Sequence, residues 1–314
     1  MSPIRFTPIY MERVWGGREL ANRLGRDLPG AQPIGEAWEI VDREEAQSVV
    51  VDGPLKGKTL HELWVQHRAE VFGNRYESSG PRFPLLCKLL DARERLSVQV
   101  HPPAAIAPQL VGEPKTEMWY FLACDPGSRI YAGLAPGTTR DSFETSLHDG
   151  TVENCLHVLP THEGDSIFIP SGRIHAIGEG NLIVEIQQNS DTTYRVFDWN
   201  RVGLDGKPRE LHVEQSMIST DFNDFEPPLS HAESGVLAEC EHFRVEKRKI
   251  DSPTALNTTG DFAIVTVVRG AARCGNAVFR AGDFYLLARG CTAETSPGEE
   301  GGCTVLVSTI PGAT

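Results

Sequence analysis

The apolar stretches of this chain are short, and turn residues close nearly every one. From "QSVVVDGPL" through "PLLCKLLD", "LSVQVHP" and "EMWYFLACDPGSRIYAGL" to "DSIFIPSGRIHAIGEGNLIVEIQQNSDTTYRVFDW", β-branched and aromatic runs end at Gly, Pro, Asp or Asn. Runs of that length suit strands rather than helices, and their spacing is that of a sandwich or barrel. The reading predicts an all-β chain with a few helices. One helix is expected where Thr59 and Glu62 form a capping box and Leu60, Leu63, Trp64, His67 and Val71 keep helical spacing up to Gly73. A second is expected over 141–148, opened by a box of Asp141 and Glu144.

At 314 residues, with 40% hydrophobic and 23% charged positions, the chain has material for two cores. The stretch "FNDFEPPLSHAESG", residues 222–235, is acidic, holds Pro, Ser and Gly, and lacks an apolar period, which places a boundary there and predicts units over 1–225 and 226–314. The second unit repeats a feature of the first. Set beside "EGDSIFIPSGRIHAI", the segment "AGDFYLLARGCTAET" aligns Gly282-Asp283 with Gly164-Asp165 and Gly290 with Gly172, but puts Ala293 where His175 stands. This reads as a duplicated module with one copy blank, and the second unit is expected to close the exposed edge of the first. A net charge of −13 argues against nucleic-acid and anionic-membrane partners, which need dense basic surface. The N-terminal residues have no apolar core of signal-peptide length and "FAIVTVV" is strand-sized, so a cytoplasmic protein is expected. The seven cysteines form no CxxC pair, and most read as small buried apolar residues.

Residues two apart in a strand project from one face. In "SVQVHP" that rule separates Val98 and Val100 from Gln99 and His101; in "KTEMWYF" it groups Lys115, Glu117 and Trp119. Inward carboxylates and ammonium groups need partners, because burying one alone costs several kcal/mol. A divalent metal would serve all of them. The amide oxygen of Gln99 with His101, Glu117 and His175 gives two nitrogens and two oxygens and leaves a coordination position open, a set that suits zinc and also admits manganese, cobalt, nickel or iron. The alternative is structural: His101 ends a strand before Pro102-Pro103, and Glu117 pairs with Lys115 at the surface.

The order Gly164, Pro170, Gly172, His175 resembles the second motif of the cupin barrel, and the stretch with His101 and Glu117 stands where the first motif belongs. Together with "KTEMWY", "GRIHAIGEG", "EIQQNSDTTYRVFDW", "WGG" at 15–17 and "GEAWEI" at 35–40, these segments resemble the type I mannose-6-phosphate isomerases in their short bacterial form. The resemblance implies two cupin-like barrel or jelly-roll units, the second without metal ligands, and the interconversion of mannose 6-phosphate and fructose 6-phosphate with zinc bound. It places the metal on Gln99, His101, Glu117 and His175, matches Arg195 to the family's catalytic arginine, and matches Lys88 and Ser97 to phosphate-binding positions.

Moving a proton between C2 and C1 through a cis-enediol requires a base and a positive group beside the developing oxyanion. Two residues are candidates for the base. Glu185 in "LIVEIQQ" faces inward with Ile183 and Gln187 and is preferred; Lys115 shares the face of Glu117, where a metal's charge would lower its pKa. Lys88, alone among leucines, would otherwise pair with Asp91 or Glu39, and Arg195 with Asp191 or Asp198. Trp15 and Trp38 are expected to line a sugar pocket, and the remaining histidines to be ordinary helix, loop or surface residues. A small phosphosugar is thus the expected partner, and the sequence carries no signal for oligomeric state. Two other readings stay open. A cupin oxygenase would want iron and a third histidine in place of Gln99; a non-catalytic sugar sensor would carry a DNA-binding domain, which an acidic chain with an all-strand C-terminal unit does not offer.

Overall fold

The computed structural model describes residues 2–256, 260–298 and 301–312. A six-stranded antiparallel sheet runs in the order Ile9–Gly17, Ile34–Ile40, Leu85–Ala92, Asn181–Gln188, Glu117–Cys124 and Ser166–Ile169. Facing it is a five-stranded sheet in the order Tyr194–Phe197, Val98–Val100, His175–Ile177, Arg129–Leu134 and Leu156–Pro160. From Leu85–Ala92 onward the strands alternate between the sheets, as in a jelly roll, except that Arg129–Leu134 and Leu156–Pro160 pair within one sheet. Leu90, Trp119, Phe121 and Ile183 of one sheet pack against Ile130, Ala132 and Ile177 of the other, so the layers share a core. Both sheets are open at their ends; the jelly-roll form of the expectation describes the fold and a closed barrel does not.

Strands Leu85–Ala92, Asn181–Gln188 and Glu117–Cys124 are buried on both faces over most of their length. Their outer residues, among them Leu85, Cys87, Leu89, Met118, Val184 and Ile186, need an apolar cover. The C-terminal sheet supplies it. Its strands Gly235–Glu239, Arg244–Ile250, Cys303–Thr309, Ala263–Arg269 and Phe284–Leu287 turn Val245, Ile264, Leu286 and Leu306 toward that layer. The alternate residues Val265, Val267, Leu287 and Val305 form a second core with the three-stranded sheet of Ala277–Arg280, Ala271–Cys274 and Thr295–Pro297. The C-terminal strands therefore cover the outer face of the first sheet, and ahead of them Ser230 also bridges the sheet's edge strand through two backbone hydrogen bonds with Ser166, at 2.8 and 2.9 Å.

The two similar segments fold alike. Gly164 and Gly172 flank the strand Ser166–Ile169 with φ of 91° and 92°, and Gly282 and Gly290 flank Phe284–Leu287 with φ of 89° and 66°. In each copy the aspartate after the first glycine accepts a backbone N–H three residues back, from His162 to Asp165 and from Arg280 to Asp283. The helical expectations need two corrections. The capping box of Thr59 and Glu62 forms, but the helix Leu60–Gln66 breaks at His67, whose φ of −123° is not helical, before Arg68–Val71. The second helix spans Arg140–Asp149 and is boxed by Thr139 and Ser142, two residues earlier than Asp141 and Glu144. None of the seven cysteines is joined in a disulfide. Among the described residues no helix is long and apolar enough to cross a membrane.

Candidate metal centre

Antiparallel register fixes which side chains meet inside the sandwich, since residues directly opposite each other share a face. Across the six-stranded sheet one row aligns Trp38, Lys88, Glu185, Trp119 and Ile167, and the next aligns Leu86, Gln187, Glu117 and Ile169. On the facing sheet Arg195, Gln99, His175 and Ala132 form a row. His101 follows the end of the Val98–Val100 strand, and its carbonyl accepts the Gly172 N–H at 2.9 Å, which ties the two motifs together. Charged residues from distant segments are thereby aimed into one interior.

There His101, Glu117 and His175 converge, with one ligand atom from each within 4.8 Å of the others. The carboxylate lies between the rings, Glu117 Oε2 at 3.5 Å from His101 Nε2 and Oε1 at 3.6 Å from His175 Nε2. Each imidazole donates its other nitrogen to a backbone carbonyl, His101 Nδ1 to Thr192 at 2.9 Å and His175 Nδ1 to Arg173 at 2.9 Å. A carbonyl can only accept, so both rings carry the proton on Nδ1 and turn the Nε2 lone pair inward, the orientation that backbone carbonyls behind metal-binding histidines impose. Burial, with the nearby Lys115 charge, pushes His101 down to about 3, and burial also lowers His175. Both shifts favour the neutral imidazole at physiological pH. His101 Nε2 and Glu117 Oε1 are buried without a hydrogen bond of good geometry, while Glu117 Oε2 is met by the Lys115 ammonium; a cation would relieve the two atoms left over. Gln99 lies against His175 with its amide nitrogen 3.3 Å from Nε2, and a half-turn of the amide brings its oxygen there. The donor set, two imidazoles, a carboxylate and an amide oxygen, fits zinc.

A cavity of about 380 Å³ lies beside these groups, walled by Gln99 and Lys115 and by Lys88, Ser97, Glu185, Arg195 and Trp15. Lys88 Nζ is 3.2 Å from Glu185 Oε1, with both side chains buried. Its partner is thus the residue across the strand, not Asp91 or Glu39. Lys115 Nζ is 2.9 Å from Glu117 Oε2; burial opposes its charge, yet Glu117 and Glu185 hold the ammonium well above its ordinary range. The expected lowering by a metal's charge meets that opposition. Burial and the Glu117 charge raise Glu185, against Lys88 and Lys115, and Trp119 Nε1 donates to its Oε2 at 3.0 Å. Arg195 donates Nη1 to the Glu210 carbonyl at 2.8 Å, while Asp198 is taken by Arg201 and Arg209. Neither predicted salt bridge of Arg195 forms. Trp15 lines the cavity, but Trp38 is sealed beneath Lys88, its Nε1 donating to Glu36 at 2.8 Å.

Arg13, Glu36, Asp191, Thr193 and Arg209 also line the cavity, and none was singled out for a role in it from sequence. Glu36 had a readable signal, a carboxylate inside the apolar strand "IGEAWEI". Arg209 had none, because a charge in a polar loop is unremarkable.

Two facing jelly-roll sheets with imidazoles and a carboxylate turned inward define a protein of the cupin type. Residues 4–120 match the family described as "Phosphomannose isomerase type I, catalytic domain". The chain is 39% identical over 301 residues to the mannose-6-phosphate isomerase ManA of Bacillus subtilis, across 92% of this chain and 93% of that one. The crystal structure of the mannose 6-phosphate isomerase from Bacillus subtilis superposes with a TM-score of 0.86 at 32% identity, over 99% of this chain and 100% of that one. A structure of mannose 6-phosphate isomerase bound with zinc and yttrium shares the fold at 14% identity, with a TM-score of 0.72 over 98% of this chain and 99% of that one. The chain belongs to the type I phosphomannose isomerases.

Proposed function

We propose that this chain interconverts mannose 6-phosphate and fructose 6-phosphate, passing a proton between C2 and C1 through a cis-enediol. The observation that carries this reading is the convergence of His101, Glu117 and His175, with His101 Nε2 and Glu117 Oε1 lacking a hydrogen bond of good geometry, beside a polar cavity of about 380 Å³. Relatives bearing the name of that activity support it. His101, Glu117, His175 and the Gln99 amide oxygen would hold a divalent cation, and zinc suits them. Once bound, that cation would supply a Lewis acid for the oxygens of the substrate.

The other roles fall to the chain's own groups. Glu185 takes the proton from C2 and returns it at C1, a transfer within reach of one carboxylate on one face of the sugar. Its Oε1 lacks a hydrogen bond of good geometry, while Oε2 is fixed by Trp119. Lys115, ion-paired with Glu117, remains protonated and serves as a cation beside the oxyanion rather than as the base. Arg195, whose Nε is buried without a partner, donates to the same oxygen. Lys88 and Ser97 are donors for the phosphate, Lys88 sharing its charge with Glu185. The catalytic unit is taken as residues 1–225, with the C-terminal unit behind it.

A coupled assay for fructose 6-phosphate, run before and after exhaustive chelation, tests the reading. Turnover is expected to be lost on chelation and restored by zinc, manganese or cobalt. Full activity in metal-free protein, or none in metal-loaded protein, would refute it.

A further inference from the structure

We infer that Arg173 and Asp224 form a positioning pair for the metal ligand His175, through which the acidic segment after the helix Val213–Ser219 keeps the metal centre in shape; the inference rests on the metal-dependent reading above. The route is short. His175 Nδ1 donates to the Arg173 carbonyl at 2.9 Å, so the direction of the Nε2 lone pair depends on how that peptide is held. The Arg173 side chain anchors the residue on the side away from the ring. Its Nε and Nη2 donate as a fork to Asp224 Oδ2 and Oδ1 at 2.7 and 2.8 Å, and its Nη1 donates to the Phe168 carbonyl at 2.6 Å. The two side chains are only 14% and 18% exposed, so water competes little with a fork that is both charge-assisted and bidentate.

Asp224 is fixed in turn by the backbone around it. Its carbonyl accepts the Leu134 N–H at 2.9 Å, and Leu134 ends the strand Arg129–Leu134, whose Ala132 pairs with His175. Three residues earlier the Asp221 N–H donates to the Gly172 carbonyl at 2.8 Å, and the Gly172 N–H donates to the His101 carbonyl at 2.9 Å. Pro227 closes over Gly133, where a Cβ would come within 2.6 Å of the proline Cδ. Residues 221–227 thus grip the turn before His175 and the strand beside it. Arg173 and Asp224 stand outside the cavity wall and act through the His175 imidazole, not on the sugar. The sign of the effect separates positioning from charge. Removing a positive charge two residues from a metal ligand would by electrostatics alone favour a bound cation. Loosening the ring's outer partner disfavours it, by roughly 10- to 100-fold in affinity.

Zinc affinity of the full chain, read by competition with a chromophoric chelator, and the visible absorption of the cobalt-loaded protein test this. Arg173→Gln is expected to bind zinc roughly 10-fold more weakly and to shift the cobalt band, because the ligand ring is no longer held at one angle. Arg173→Lys, which keeps the charge but cannot form the fork, is expected to weaken zinc binding in the same direction, and it stands in if the glutamine variant does not fold. Combining Arg173→Gln with Asp224→Asn is expected to cost little more affinity than the larger single effect, as for two partners in one contact. Zinc binding that is unchanged or tighter in a folded Arg173 variant, with only its urea stability lowered, would reduce the pair to a structural staple and overturn the inference; so would full additivity of the two losses. Because affinity is read without turnover, failure of the isomerase reading would appear separately, as wild-type protein that binds zinc but leaves mannose 6-phosphate unconverted.

Discussion

Glu185 and Lys88 show how a single register position couples stability to chemistry. They stand directly opposite in neighbouring strands, both buried, each the nearest opposite charge of the other. Buried pairs of this kind roughly break even in stability, so their retention is better explained by what the carboxylate does. Burial and the Glu117 charge favour its protonated form, which brings its basicity toward the range a proton shuttle needs. Glu185→Gln keeps the shape and the Trp119 contact while removing the base. Exchange of the C2 hydrogen with deuterated solvent is expected to fall by roughly 10²-fold or more, in line with the usual contribution of a general base. Exchange at the wild-type rate would remove Glu185 from the mechanism and leave Lys115 as the remaining candidate.

At the scale of elements, capping chemistry and β turns position the site from a distance. Thr59 Oγ1 accepts the Glu62 N–H at 3.1 Å, and the Glu62 carboxylate accepts the Thr59 N–H at 2.7 Å. The box starts the helix whose Trp64 packs with Phe72, Tyr76 and Phe83, aromatic neighbours that continue to Phe262 of the C-terminal strands. Thr59→Ala is expected to lower the unfolding free energy by about 1 kcal/mol in urea titrations, with KM and kcat unaltered, because the helix lies on the outer face of the sheet. A change in kcat without a change in stability would show that the helix serves the site directly. The box was readable because both partners lie within one turn; the break at His67 was not, since it depends on how the aromatic residues around it pack.

In the whole molecule, the contact between the two sets of sheets includes a buried titratable group. Glu39 lies 3.1 Å from Arg26, which also donates to the Gly282 carbonyl and lies 3.4 Å from Asp283. Burial outweighs the Arg26 attraction and pushes Glu39 up to about 7. The folded state therefore holds this proton more tightly than the unfolded chain does. The resulting stability is complete below the ordinary glutamate pKa and is lost as pH rises through about 7, a change on the order of 3 kcal/mol. Urea unfolding of Glu39→Gln at pH 4.5 and 8 is expected to show a correspondingly smaller decline than the parent. Equal declines in the two proteins would mean that Glu39 ionises normally in the folded state.

The strands, the facing of Gln99 with His101 and of Lys115 with Glu117, and the turn before His175 were legible in the sequence, because period-two alternation and glycine turns are local properties of the backbone. The resemblance supplied the roles, and the relatives share the family. What no local pattern contained was pairing between distant segments: Lys88 with Glu185, Arg13 with Glu36, and Arg209 with Arg201 on Asp198. Those contacts follow from strand order and sheet stacking. Whether a charge is balanced is decided by neighbours that only the folded chain brings within reach, as Lys88 with Glu185 and Arg209 with Asp198 show.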